Sequence, residues 1–176
     1  MYNADMVFAK TELLKLINEG RIKVEPFTED QVGAASIDLA LGDEFRVFKK
    51  QDRAYRIEDK SNYKDVTEVV RIAEGKSFLL QPGETILGIT QEKITLPTNI
   101  SGRLEGRSRY ARLGLTVHIS SSFVQPGVSN KQVLEISNLG QTTLELIPGV
   151  RVCHLVLEEV KGEGKYTGAF QNQDTI

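Results

Sequence analysis

Four arginines fall within ten residues of one segment, Gly102-Arg-Leu-Glu-Gly-Arg-Ser-Arg-Tyr-Ala-Arg-Leu-Gly-Leu115, where Arg103, Arg107, Arg109 and Arg112 surround Ser108. Planar guanidinium forks suit multi-anionic oxygens, so a polyphosphate is the first ligand chemistry to consider. Further on, a carboxylate interrupts an apolar run in Val133-Leu-Glu-Ile136. Strand alternation puts Val133 and Glu135 on one face and Leu134 and Ile136 on the other. If the Val133 face is internal, Glu135 is partly desolvated and suited to proton transfer near neutral pH. A surface glutamate on an edge strand is the plainer alternative. An anion clamp beside a base suggests chemistry on a nucleotide.

Other candidates carry less. Ser108 lacks a Gly-x-Ser-x-Gly elbow and has no histidine near it in sequence, so orienting water or binding phosphate suits it better than nucleophilic attack. His118 and His154 alternate with apolar residues and read as satisfied core or interface histidines. The zinc deaminase pattern, His-x-Glu followed by Pro-Cys-x-x-Cys, is not met: Ile119 and Ser120 follow His118, and Cys153 is the only cysteine. Cys153 itself reads as a small core residue, and no internal disulfide can form.

The elements that must position these groups are mostly strands. A short amphipathic helix is predicted over roughly Lys10 to Asn18, with Leu13, Leu14, Leu16 and Ile17 as its apolar face and Gly20 ending it. Strand-like runs follow at 36–41, 44–48, 66–72, 77–80, 84–90, 92–96, 100–104, 115–119, 132–137, 143–146 and 151–157. Turns at Gln81-Pro-Gly83, Gln125-Pro-Gly127 and Ile147-Pro-Gly149 punctuate them. Many short strands with Pro-Gly turns predict a mainly β chain, a sandwich, jelly roll or barrel. Lys49–Asp65 reads as a surface insertion or long hairpin. The segment 161–176 has no period; it is either disordered or, given Tyr166 and Phe170 among glycines, an arm that orders over a ligand or a neighbouring subunit.

The bulk numbers fit one domain over 1–176. The 176 residues carry 22 basic and 24 acidic side chains, a net charge of −2 that gives no footprint for a nucleic acid polymer. No apolar stretch approaches a membrane span, and Met1–Met6 lacks a leader pattern, so the expectation is a cytoplasmic protein.

The segment Leu104-Glu-Gly-Arg-Ser-Arg-Tyr-Ala-Arg-Leu-Gly-Leu-Thr-Val-His118 resembles the signature of dCTP deaminases, the metal-free branch of the dUTPase-like superfamily. Ile22–Phe27, Ala35-Ser-Ile-Asp-Leu-Ala-Leu-Gly42, Phe78–Glu84, Thr95-Leu-Pro97, Gln125-Pro-Gly127 with Val133-Leu-Glu135, and Lys165-Tyr166 extend the resemblance over most of the chain. The resemblance implies a distorted jelly roll, or dUTPase-like β-barrel, with a short N-terminal helix, assembled as a homotrimer with active sites between subunits. It implies dCTP and dUTP as ligands, Mg²⁺ travelling with the triphosphate, and no zinc. Glu135, Ser108 and Arg112 take the catalytic positions. Arg107, Ser108, Arg109, Tyr110, Ala111 and Arg112 fall where the family binds nucleotide, as do Ser121, Gln125, Val133 and Leu134. Lys165, Tyr166 and Gln171 belong to the arm, 161–176, that covers the nucleotide.

The chain departs from the family pattern in places. Gln125 stands where an acidic residue usually meets the deoxyribose 3′-hydroxyl, Arg109 replaces the second serine of a Ser-Ser pair, and Ser120-Ser121-Ser122 replaces a Thr-Ala stretch. Gln171 lies two residues later than the family spacing. Phe123 resembles members that continue from dUTP to dUMP, whereas Gln125 argues against that step; the reading leans to deamination alone. A dUTPase and a nucleotide-binding homologue without catalysis are the alternatives.

Overall fold

Alternation of buried and exposed residues along the chain gives a protein made mainly of strands, wrapped around one side-chain core. The computed structural model describes residues 7–118 and 120–176. Helix α1, Lys10–Asn18, buries Leu13 and Leu16 while Leu14 and Ile17 pack partly buried beside them. It ends where the N–H of Gly20 donates to the Ile17 carbonyl.

Strands β1 (Lys23–Glu25), β2 (Ile37–Phe48), β3 (Thr67–Arg71), β4 (Phe78–Leu80), β5 (Thr85–Thr95) and β6 (Ile100–Gly106) follow. The short helix α2 (Ser108–Ala111) then precedes β7 (Leu115–Val117), β8 (Phe123–Val124), β9 (Ser129–Asn138), β10 (Leu144–Leu146) and β11 (Arg151–Glu159). The main sheet runs β7-β9-β5-β2-β11-β6-β8, with β1 added on β5 and β3 on β2; β4 and β10 form a separate ribbon. Its neighbours are antiparallel, and the sheet curls into a half-barrel.

Two pairs of expected strands prove to be single strands. Runs 36–41 and 44–48 merge into β2, and 84–90 and 92–96 merge into β5, each with a register shift where the two runs meet. Side chains supply the bonds that the irregular ladder omits. The Thr90 hydroxyl accepts from the Gln132 N–H at 2.9 Å and donates to the Glu92 carbonyl at 2.8 Å, so the break in alternation leaves these groups paired. Leu39, Leu41, Phe45, Ile86, Leu134 and Leu155 are fully buried, and Phe45 stacks on Phe78 with ring centroids 5.1 Å apart. The three Pro-Gly turns have left-handed glycines, with φ of 78°, 78° and 90° at Gly83, Gly127 and Gly149. Residues 49–66 form the long loop of the β2–β3 hairpin, closed by Lys49 N–H to Val66 O. The end of the expected run 115–119 lies at Ile119, outside the described residues. Among the described residues no helix is long and apolar enough to cross a membrane.

Candidate active site

Glu135 is carried by β9, between β5 and β7: Leu87 is its partner on β5, and its carbonyl accepts the His118 N–H at 2.8 Å just beyond β7. The core face of β9 is the Leu134–Ile136 face, at 0% and 1% exposure, so Val133 and Glu135 lie half-buried on the other side. The internal Val133 face considered in the sequence is therefore not what the fold adopts. The carboxylate is nonetheless held. The Ser120 N–H donates to Oε2 at 2.7 Å, and the Ser120 hydroxyl lies 2.9 and 3.0 Å from the two oxygens. Charge-assisted bonds of this kind fix the direction of a carboxylate. Ser120 was not among the expected site residues, and the serine triplet was its only signal; Ser121, which was, is exposed.

Within the chain, His118 does not have the partners of a satisfied core histidine. Its backbone adopts φ of 61°, and both ring nitrogens are buried with no hydrogen-bond partner among the described residues. Burial pulls its pKa from 6.5 down to about 4, opposed by the nearby Glu135 charge. The ring is thus neutral at physiological pH. Cys153 is fully buried, and burial first of all pushes its thiol pKa up, consistent with a core residue.

The arginine segment divides by partner. Arg107, extended at the end of β6, turns its guanidinium inward: Nη2 lies 3.1 Å from Asp38 Oδ2 on β2, and Nη1 donates to the Arg151 carbonyl on β11 at 3.0 Å. Arg151 in turn pairs with Asp30 at 2.8 Å. Arg103 pairs with Glu158 at 2.7 Å. Ser108, Arg109, Ala111 and Arg112 are exposed around α2, while Tyr110 packs against the core. Neither Arg109 nor Arg112 has a side-chain partner among the described residues, so they are the outward cations. Gly114 (φ 90°) closes this loop; a Cβ there would sit 2.5 Å from the Gly140 nitrogen, so the close approach to the β9–β10 turn needs glycine.

Gln125 is exposed at the turn after β8. The segment 161–176 is an arm that packs on its own chain. The Gly164 N–H donates to Thr98 O at 2.9 Å and the Tyr166 N–H to Pro126 O at 3.0 Å, and the Lys165 stem lies against Gly127. Farther along, the Gln171 carbonyl accepts from Ser129 N–H at 3.0 Å and the Gln173 carbonyl from Lys131 N–H at 2.8 Å. Gln125, Lys165 and Tyr166 are thus brought together. The Gln171 docking point, Ser129, lies roughly 20 Å from Glu135 along β9. Among the described residues, Ser120 and neither Ser108 nor Arg112 bonds the Glu135 carboxylate.

The sequence profile of the family described as dCTP deaminase-like matches residues 7–160. The chain belongs to that family. It is 37% identical over 152 residues to a "dCTP deaminase, dUMP-forming" of Dictyoglomus turgidum, covering 85% of this chain and 78% of the relative. With the same-named protein of Methanosphaera stadtmanae it shares 34% over 171 residues, covering 96% and 87%. The corresponding values for Corynebacterium diphtheriae are 39% over 152 residues, 86% and 81%. The crystal structure of 2'-deoxycytidine 5'-triphosphate deaminase from Agrobacterium tumefaciens superposes with a TM-score of 0.66 at 21% identity. That match covers 88% of this chain but only 48% of the other, so the chain spans about half of it, and the likeness shows the fold. The expected mainly β fold with a short N-terminal helix is the one observed, and the deaminase structure shares it. The family match ends at residue 160, before the arm.

Proposed function

We propose that the chain deaminates dCTP, with Glu135 as the general base. The observation that carries the reading is the Glu135 carboxylate, held by the backbone and hydroxyl of Ser120 on the half-buried face of β9. Glu135 takes a proton from water as the water oxygen bonds to C4 of cytosine. Protons pass from the carboxylate to N3 and to the amine, the C4–N bond breaks, and dCTP plus water becomes dUTP plus ammonia. No zinc is invoked. Mg²⁺ arrives with the triphosphate as part of the substrate, and the outward Arg109 and Arg112, with Ser108, meet the phosphates and the developing charge.

A homotrimer with sites between subunits supports this chemistry best. Within one chain the Glu135 carboxylate is held by Ser120 and not by Ser108 or Arg112, and a neighbour would bring those groups. The arm 161–176 then covers the nucleotide, Ser121 and the β9 backbone at Val133 and Leu134 face the base, and Gln171 follows the nucleotide contacts of Lys165 and Tyr166. A cytoplasmic setting suits this metabolism.

A second reading adds hydrolysis of dUTP to dUMP and pyrophosphate. It is favoured by the names of the relatives, each called dUMP-forming, against the leaning of the sequence to deamination alone. Gln125 is the residue on which this step turns, since an amide cannot act as a base. The test is purified protein with dCTP, dUTP or CTP plus Mg²⁺, resolving ammonia, dUTP, dUMP and pyrophosphate. Ammonia from dCTP supports deamination, and dUMP from dUTP supports the second step. Glu135→Gln is expected to keep dCTP binding and lose at least about a hundredfold in turnover; full turnover by that variant refutes the assignment.

A further inference from the structure

Glu44 and Arg46 flank Phe45 on β2, and both are buried, at 8% and 7% exposure. Their charged ends meet on one residue of the arm. The Ile176 N–H donates to Glu44 Oε1 at 2.9 Å, and Arg46 Nη1 donates to the Ile176 carbonyl at 3.2 Å. The Ile176 side chain is itself 3% exposed. Two side chains therefore read the N–H and C=O of one residue as a neighbouring strand would.

Burying charges without partners is costly. Here each charge has a second partner that does not belong to the arm. Arg71 lies 2.8 Å from Glu44 Oε2, and Arg46 Nε donates to the Thr67 hydroxyl at 2.8 Å. Release of Ile176 strands neither charge, which is what a reversible fastening requires. The intervening arm is held by Lys93–Asp174 at 2.9 Å, by Asn130 Nδ2 to the Phe170 carbonyl at 2.6 Å, and by Phe170 tilted against Tyr63 at 6.5 Å. The arm is thus tied beyond, as well as before, Lys165 and Tyr166.

We propose that insertion of Ile176 between Glu44 and Arg46 is a latch that holds the arm across the Gln125–Gly127 turn. Glu44 and Arg46 are then positioning residues, acting through Lys165 and Tyr166 on the nucleotide. The role in nucleotide binding rests on the deaminase reading; the latch itself does not.

The test pairs amide hydrogen exchange of the nucleotide-free protein with dCTP kinetics for Ile176→Asp, Glu44→Ala and Glu44→Gln. Losing the Glu44 acceptor in Glu44→Ala, or placing a carboxylate at the buried Ile176 position beside Glu44 in Ile176→Asp, should speed exchange of the arm and of Ser129 and Lys131 roughly tenfold. Glu44→Gln, which keeps an acceptor for the Ile176 N–H, should stay near wild type. KM for dCTP should rise about tenfold in the loosened variants with kcat within about twofold. Unchanged exchange in Ile176→Asp overturns the latch, and a loosened arm with unchanged KM overturns its role in nucleotide binding. Ile176→Asp alters only the arm, so it decides the matter even if a β2 variant fails to fold. A wild-type protein inert towards dCTP would refute the functional reading, and exchange would still decide the latch.

Discussion

At the residue scale, Glu135 and His118 share one corner of β9 and β7 and have opposite circumstances. The carboxylate has Ser120 on both oxygens, whereas the imidazole has no partner for either nitrogen among the described residues. The His118 pKa of about 4 in the folded chain lies below its ordinary 6.5, so between these values the unfolded chain binds the extra proton. Stability from this residue is therefore full above pH 6.5 and falls as pH drops towards 4, by at most about 1.4 kcal/mol per pH unit. His118→Asn, which tolerates the left-handed backbone, should flatten urea midpoints over that window. Equal slopes for both proteins would contradict the neutral buried ring. Glu135 was legible in the sequence because a charge interrupting an apolar strand stands out. Ser120 was not, because one serine of three in a loop has no period to mark it.

At the element scale, α2 and its loop depend on contacts distant in sequence. Arg107 fastens the loop to β2 and β11 through Asp38 and the Arg151 carbonyl, and Gly114 seats it on the β9–β10 turn. A double-mutant cycle on Arg107→Met and Asp38→Asn, followed by urea unfolding, should give a coupling of about 1–2 kcal/mol, as for a charged pair only partly open to solvent. Additive effects would show the pair to be incidental. Reading the sequence grouped Arg107 with Arg109 and Arg112, since residue type alone cannot say which cation already has a carboxylate. Helix α1 was legible to its ends because its apolar spacing is regular. A helix as short as α2 has no periodicity, and a bulge in β2 or β5 looks like a turn because both break alternation.

At the scale of the whole molecule, the outward Ser108 and Arg112 around α2 and the Glu135 carboxylate on β9 are the groups the proposed site must unite. The proposed homotrimer would unite them between copies of the chain, and subunit mixing tests this. Glu135→Gln and Arg112→Ala are each expected to be inactive alone. Mixed one to one and allowed to exchange, they should recover about a quarter of the wild-type rate, since a trimer site formed between neighbours draws each intact residue with even odds. No recovery from demonstrably mixed oligomers would place the whole site in one subunit.

The arm is held largely through its main chain: the Phe170, Gln171, Gln173 and Ile176 carbonyls and the Tyr166 and Ile176 N–H groups make the contacts. Peptide groups are common to every amino acid, so apart from Phe170 and Asp174 this docking asks little of side-chain identity between Thr167 and Thr175. A displaced Gln171 can therefore coexist with an unchanged path of the chain. Exposed positions such as Ala169 and Asn172 are places to attach a fluorophore that reports arm movement in real time.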